Sequence, residues 1–357
     1  MKILYGVQGT GKGHIARARI MADAFSQRDD VYVDFLFSGR DESDYFDMHP
    51  FDQYQTRRGL TFVTQRGRVS QWQTLKQANL VQLWRDVKAL DLSDHDLVIN
   101  DFEPVSAWAA KRQDTPCISI SHQAAFAYDV PTQGDSAIDR LLTRYFAPSN
   151  IKLGVHWYHF NKPIVPPFIT DKAAEKASLA HVLVYLPFES LDDIQGFLEP
   201  LSEYRFEIFH PAVKQNDESR QLAWRKTSKQ HFRHALQHCR GVIANGGFEL
   251  SSECLQLGKK LLMKPLTGQY EQLSNALTLS TLELCHTMYS LDTDVVEEWL
   301  EKPGIEPITF PDNPHILIDW LLAGDWQNTE PLCETLWQQV QFPDKTRLKL
   351  AQLHPSA

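Results

Sequence analysis

Cysteine is scarce and follows no pattern. The five cysteines in 357 residues, Cys117, Cys239, Cys254, Cys285 and Cys333, are scattered and never form a C-x-x-C pair. That argues against a disulfide framework and a zinc site, and predicts reduced core thiols in a cytosolic protein. Long apolar runs are missing as well. No stretch approaches the roughly 18 charge-free residues of a membrane span, and the apolar part of the opening MKILYGVQGTGKGH is too short for a signal peptide. Basic residues are in deficit, with 36 Lys and Arg against 45 Asp and Glu and a net charge of −9. A chain of that sign is poorly suited to polyanions, so nucleic acid is not an expected partner. Internal repeats and low-complexity tracts are lacking, which sets aside solenoids and fibres.

What remains is ordinary globular composition, 43% hydrophobic and 23% charged, in a chain long enough for two domains. The first 165 residues hold 19 basic and 19 acidic side chains, so the whole acidic excess lies in the rest. Short apolar runs alternate with amphipathic stretches. Strands are predicted at Lys2–Val7, Val31–Ser38, Leu97–Asn100 and Cys117–Ser121, with a helix through Ile15, Ala18, Met21 and Phe25 and another from Val105 to Arg112. The proline-rich KPIVPPF near residue 163 reads as a connector. Beyond it the rhythm repeats, with strands at His181–Leu186, Arg205–Phe209, Gly241–Ala244 and Lys260–Met263. The fold class expected is α/β: two Rossmann-like, doubly wound parallel sheets facing a cleft. The expected units are residues 1–163, residues 164–315, and C-terminal helices over 316–357 that pack back on the first unit.

Two glycine-rich turns interrupt this pattern, each between a strand and a helix. In the first, Gly9-Thr10-Gly11-Lys12-Gly13-His14, backbone N–H groups at a helix start are placed to meet a phosphate. Read from Gly6, the same string imitates a nucleoside-triphosphate loop, but Gly13 stands where a Ser or Thr should supply the magnesium ligand. His14 follows the last glycine and is a natural general base at neutral pH. Asp101 ends the stretch DLVIND with Glu103 two residues beyond it, and His122 follows CISIS. The second turn, Asn245-Gly246-Gly247, leads into a helix carrying Glu253, and a further loop over 265–272 leaves the next strand. Ligands of open α/β sheets bind at such strand ends.

The strings G-T-G-x-G-H and G-G-F-x-x-x-S-E-x-x-x-L-G-K-x-x-L-x-x-P-x-x-G-Q-x-E-Q-x-x-N-A, present in order and in opposite halves, resemble those of the GT-B glycosyltransferases. Within them the chain is similar to the bacterial enzymes that add N-acetylglucosamine to a lipid-linked muramoyl-pentapeptide. It also resembles a glycosyltransferase-like group of bacteria and archaea that shares the segment Asn100-Asp101-Phe102-Glu103-Pro104. The resemblance implies a nucleotide-diphosphate sugar donor, UDP-linked by preference, an unknown acceptor and inversion at the anomeric carbon without a metal or other cofactor. It implies that Gly246, Gly247 and Phe248 face the diphosphate, and that Glu253 accepts from the ribose hydroxyls. Gln269, Glu271 and Gln272 would hold the sugar, with Asn275 behind them. Gly9, Thr10, Gly11 and Gly13 would form the phosphate or acceptor loop. His14 would be the base, with Asp101 beside it and Glu103 and His122 toward the acceptor. A sugar-nucleotide epimerase or hydrolase, or a non-catalytic nucleotide binder, fits the same fold.

Two positions depart from the pattern. Leu250 stands where relatives often carry a polar residue, and Glu249 puts an acid beside the expected diphosphate. The strings Asp94-His95-Asp96 and Asp292-Thr293-Asp294 read as surface turns rather than metal-binding motifs. The segment from Thr56 to Lys88 carries Arg57, Arg58, Arg66 and Arg68, with Trp72, Leu75, Leu80, Leu83 and Trp84 on a predicted helix. It is a solvated loop and surface helix or, on the sharper reading, a peripheral contact with an anionic membrane at its inner face.

Overall fold

Apolar runs too short for helices become the strands of two seven-stranded sheets in a computed structural model. It describes residues 1–10, 12–45, 47–60, 64–65, 68–69, 79–134, 145–170 and 181–353. In the first sheet, β1 (Lys2–Gln8), β2 (Tyr32–Ser38) and β3 (Tyr54–Arg57) lie to one side, and β4 (Thr64–Gln65) and β5 (Arg68–Val69) form a separate antiparallel pair. The first sheet continues with β6 (Leu97–Asp101), β7 (Cys117–Ser121), β8 (Ile151–Val155) and β9 (Ile164–Val165). Its order is β3-β2-β1-β6-β7-β8-β9, parallel throughout.

The second sheet is built from β10 (Val182–Tyr185), β11 (Phe206–Phe209), β12 (Asp217–Glu218), β13 (Leu222–Arg225), β14 (Gly241–Ala244), β15 (Lys260–Met263) and β16 (His286–Thr287). Its order is β12-β13-β11-β10-β14-β15-β16, and β12 alone runs antiparallel to its neighbour. Both sheets reverse strand order once, between β1 and β6 and between β10 and β14. These reversals open the crevices in which doubly wound sheets bind ligands.

The central strands read as near-continuous apolar runs because helices cover both faces of a parallel sheet. Ile3, Leu4, Val7, Leu97, Val98 and Ile99 are fully buried, as are Val182, Leu183, Val184, Val242 and Ile243. The helix Phe248–Gln256 ends before Gly258, whose φ of +63° suits a residue without a Cβ and turns the chain back into β15. Glu103 caps the helix Pro104–Gln113, and Ser190 caps Leu191–Leu198.

The first sheet reaches Val165, two residues beyond the expected boundary at 163, because Ile164 and Val165 pair with β8 inside the proline-rich connector. Trp337 Nε1 donates to the Ile164 carbonyl at 2.7 Å, and Arg28 pairs with Asp319 at 2.5 Å. The helices His315–Ala323 and Glu330–Trp337 therefore rest on the first half. Of the Thr56–Lys88 segment, Leu80–Ala89 is helical, with Leu80, Val81 and Trp84 exposed, whereas Trp72, Leu75 and Arg66 lie outside the described residues. No helix among the described residues is long and apolar enough to cross a membrane.

Candidate active site

The two reversal points each end in a glycine turn and a helix start, and these ends meet. Helix Lys12–Phe25 follows β1 and presents His14 and Arg17, three residues apart and so on one face. Asp101 closes β6 on the other side of the crevice, fully buried. His14 Nδ1 lies 2.8 Å from Asp101 Oδ1, while Arg17 donates through Nε to Oδ2 at 2.9 Å and through Nη2 to Oδ1 at 3.0 Å. Burial would raise the Asp101 carboxyl, but the Arg17 guanidinium and then His14 outweigh it and hold it below its ordinary value. The ionised Asp101 carboxylate accepts from a protonated His14 Nδ1 and so fixes the orientation of the ring.

From the second half, helix Phe248–Gln256 points its start at this group. Gly247 is its N-cap and, having no side chain, makes no cap hydrogen bond. A Cβ at Gly247 would meet nothing within 4 Å, whereas one at Gly246 would fall 2.7 Å from the Gln272 carbonyl oxygen. Gly246 is therefore required by packing, and Gly247 leaves backbone N–H groups of the first turn open to a ligand. Glu249 turns toward the first half, where its Oε1 accepts from Arg17 Nη1 at 2.5 Å. Gly13 lies against it so closely that a Cβ there would stand 2.4 Å from Glu249 Cγ.

Glu253, one turn further along, accepts no hydrogen bond from the described residues and is partly exposed. Burial, reinforced by the Glu249 charge, pushes its carboxyl up to about 7. Lys264, at the end of β15, is ion-paired to Glu189 in the loop after β10, and Asn245 donates to the Lys264 carbonyl at 2.8 Å. The Asn245 Oδ1 is buried without a partner among the described residues.

Other expected site residues are already engaged by the protein. Gln269 caps the helix Tyr270–Thr281 by accepting from Gln272 N, and Gln272 Oε1 accepts from Leu266 N at 3.0 Å. Glu271 accepts from Gln123 Nε2 at 3.1 Å. Asn275 donates to the Gly246 carbonyl at 2.9 Å and its Oδ1 lies 2.7 Å from His122 Nε2. His122 also donates through Nδ1 to the Val155 carbonyl at 2.9 Å and stacks on Phe248 at 4.0 Å, so it is a buried joint between the halves. Trp157 adds a second joint, its Nε1 donating to Ser252 Oγ at 2.8 Å.

Glu103 sits at the start of the helix Pro104–Gln113. It is wholly buried, and its carboxylate accepts from Val105 N, Ser106 N and Ser38 Oγ, so it holds a helix start rather than an acceptor. In the first loop, Thr10 accepts from Gln8 Nε2 at 3.0 Å and Gly9 donates to the Ser38 carbonyl at 2.6 Å, while Gly11 lies outside the described residues. Of the paired acids, Asp96 accepts from Lys2 N at 2.7 Å and Asp292 caps the helix Thr293–Glu301. Arg17 was not singled out in the sequence. Its signal is the three-residue spacing from His14 on a helix that follows a glycine loop.

The model of glycosyl transferase family 1 matches residues 1–303. The chain belongs to that family. Solved structures share its GT-B architecture at low sequence identity. The spinosyn rhamnosyltransferase SpnG superposes with a TM-score of 0.58 at 12% identity, over 99% of this chain and 100% of that one. A UGT transferase from Siraitia grosvenorii, solved in complex with UDP, gives 0.54 at 14% over 99% of each chain. MurG of Acinetobacter baumannii gives 0.51 at 14%, again over 99% of each. A comparison with curated protein sequences gives no match.

Proposed function

We propose that this family member is an inverting glycosyltransferase that takes a sugar from a nucleoside diphosphate, UDP by preference, without a metal. The observation that carries the reading is the His14–Asp101 pair, 2.8 Å apart at one reversal point and facing the uncapped helix start at the other. Asp101 fixes the imidazole tautomer, and Nε2 takes the proton of an acceptor hydroxyl as its oxygen attacks the anomeric carbon. The bond from that carbon to the diphosphate breaks in the same step, and the leaving group departs with the electron pair. First-turn N–H groups after Gly247 and the positive end of the helix receive its charge, which requires no ion.

Glu253, with its free carboxylate near the helix start, accepts from the ribose hydroxyls, and the loop around Gln269, Glu271 and Gln272 faces the sugar. The donor must enter between halves whose side chains meet at Arg17–Glu249 and His122–Phe248, so binding opens this arrangement. The exposed Leu80, Val81 and Trp84 beside Lys88 support peripheral contact with a membrane that would carry a lipid-linked acceptor. The test is thermal stabilisation by UDP, GDP and dTDP sugars followed by product analysis with and without an acceptor. A shift with one nucleotide class and turnover that requires an acceptor support transfer. Conversion of the sugar nucleotide alone would instead indicate an epimerase or hydrolase, and no shift with any of them would remove the reading.

A further inference from the structure

Arg17 is a buried cation shared by two carboxylates from different halves of the chain. Its Nε and Nη2 serve Asp101, and its Nη1 serves Glu249 at 2.5 Å. Its side chain is 9% exposed and that of Glu249 is 21% exposed, so both are largely shielded from screening by water. Glu249 is the second residue of the helix whose start faces the crevice, and it packs against Gly13 of the opposite glycine loop. The guanidinium edge that holds Glu249 therefore lies at the junction of the two loops.

Two carboxylates compete for one guanidinium here. Asp101 and Glu249 share one guanidinium, and the field of Glu271 also reaches Glu249. A diphosphate entering this junction meets a guanidinium edge already held by Glu249 and can take it only if that carboxylate yields its place. We infer that Arg17 exchanges partners: in the empty cleft its Nη1 edge is occupied by Glu249, and the donor's diphosphate takes that edge when it binds. This rests on the nucleoside-diphosphate reading and deepens it. Glu249 is then an internal competitor that sets donor affinity, and Arg17 is a positioning residue that ties donor occupancy to the Asp101–His14 pair.

The experiment is calorimetric titration of the full chain with UDP and, separately, with inorganic pyrophosphate, which tests the phosphate contact independently of the base. The proteins are the parent, Glu249→Gln, Arg17→Lys and Arg17→Ala. Charge-assisted contacts of this kind predict that Glu249→Gln binds both probes about tenfold more tightly than the parent, while Arg17→Ala binds them at least tenfold more weakly. Arg17→Lys keeps the charge and recovers most of the loss. A merely structural role would lower the melting temperature of these variants and leave pyrophosphate affinity unchanged. Weaker binding by Glu249→Gln, or unchanged affinity in Arg17→Ala, overturns the exchange while leaving the donor reading intact. Absence of binding by the parent and by Glu249→Gln, with UDP, GDP, dTDP and pyrophosphate alike, overturns both.

Discussion

Arg17 and Glu249 are 232 positions apart in the chain, yet the guanidinium of one donates to the carboxylate of the other at 2.5 Å. The same guanidinium grips Asp101, which in turn holds His14. One line of four side chains thus joins the helix start of the second half to His14 of the first. Glu249, an acid that sequence alone places beside a diphosphate, is turned aside by this line and neutralised.

Removing the base and removing its orienting partner should have different signatures. His14→Ala is expected to lower kcat by about 10²–10⁴-fold with little change in donor affinity, because the imidazole acts on the acceptor proton. Asp101→Asn should lower kcat as well and also destabilise the fold by about 3–5 kcal/mol, since Arg17 loses its buried carboxylate. Steady-state kinetics with thermal melts on both variants checks the contrast. Full turnover by His14→Ala would dismiss the base assignment.

Glu253 gives the stability a pH dependence of known sign. Its carboxyl is raised from 4.5 to about 7 in the folded protein, chiefly by burial and then by Glu249. The folded state therefore binds the extra proton between those values, and stability falls as pH rises through the window and levels above it. Glu253→Gln removes the effect, so its melting temperature should match the parent near pH 5 and exceed it at pH 8, by about 1–3 kcal/mol in stability. The same substitution is expected to raise the KM for donor about tenfold, because the amide accepts ribose hydroxyls less well than a carboxylate. A parent and variant that melt in parallel across that range would count against the raised Glu253 carboxyl.

The two adjacent glycines at the second turn should not behave alike. Gly246→Ala would push a Cβ to 2.7 Å from the Gln272 carbonyl oxygen, which belongs to backbone and cannot move aside cheaply. Gly247→Ala meets open space at an extended φ of −73°. The first variant is predicted to lose about 1–3 kcal/mol of stability, as overpacking typically costs. The second should fold as the parent does and lose donor affinity only. Equal melting temperatures for the two variants would contradict the packing described at Gly246.

Asn275 holds the halves together from beneath the cleft. Asn275→Ala would leave His122 Nε2 and the Gly246 carbonyl without their partners, at roughly 1–3 kcal/mol for each buried group. Denaturant unfolding of this variant should show the midpoint falling. A variant as stable as the parent would mean that water replaces both contacts.

Legibility in the sequence followed the range of the interactions involved. The alternation of β1, the first glycine loop and the following helix was readable because a buried parallel strand and a helix start each have a local signature. The pairing of strands as short as Ile164–Val165 and His286–Thr287 was not, since two residues carry no period. His14 and Asp101 could be selected because both follow strand ends at predicted reversal points. Glu103 was selected for the same reason, and an acid at a strand end looks alike whether it faces a ligand or caps the next helix. Three buried hydrogen bonds to Glu103 decide that it caps. The pairings of Arg17 with Glu249 and of His122 with Asn275 and Phe248 join the two halves, and no local pattern encodes them.

The most direct measurement is a crystal structure of the protein with UDP, or with whichever nucleoside diphosphate stabilises it most. The account predicts diphosphate oxygens within hydrogen-bond reach of the backbone N–H groups that follow Gly247, ribose hydroxyls on Glu253, and His14 Nε2 facing the end of the diphosphate across an open gap. A diphosphate cradled instead by the Gly9–Gly13 loop, with Glu253 remote from the ribose, would contradict it.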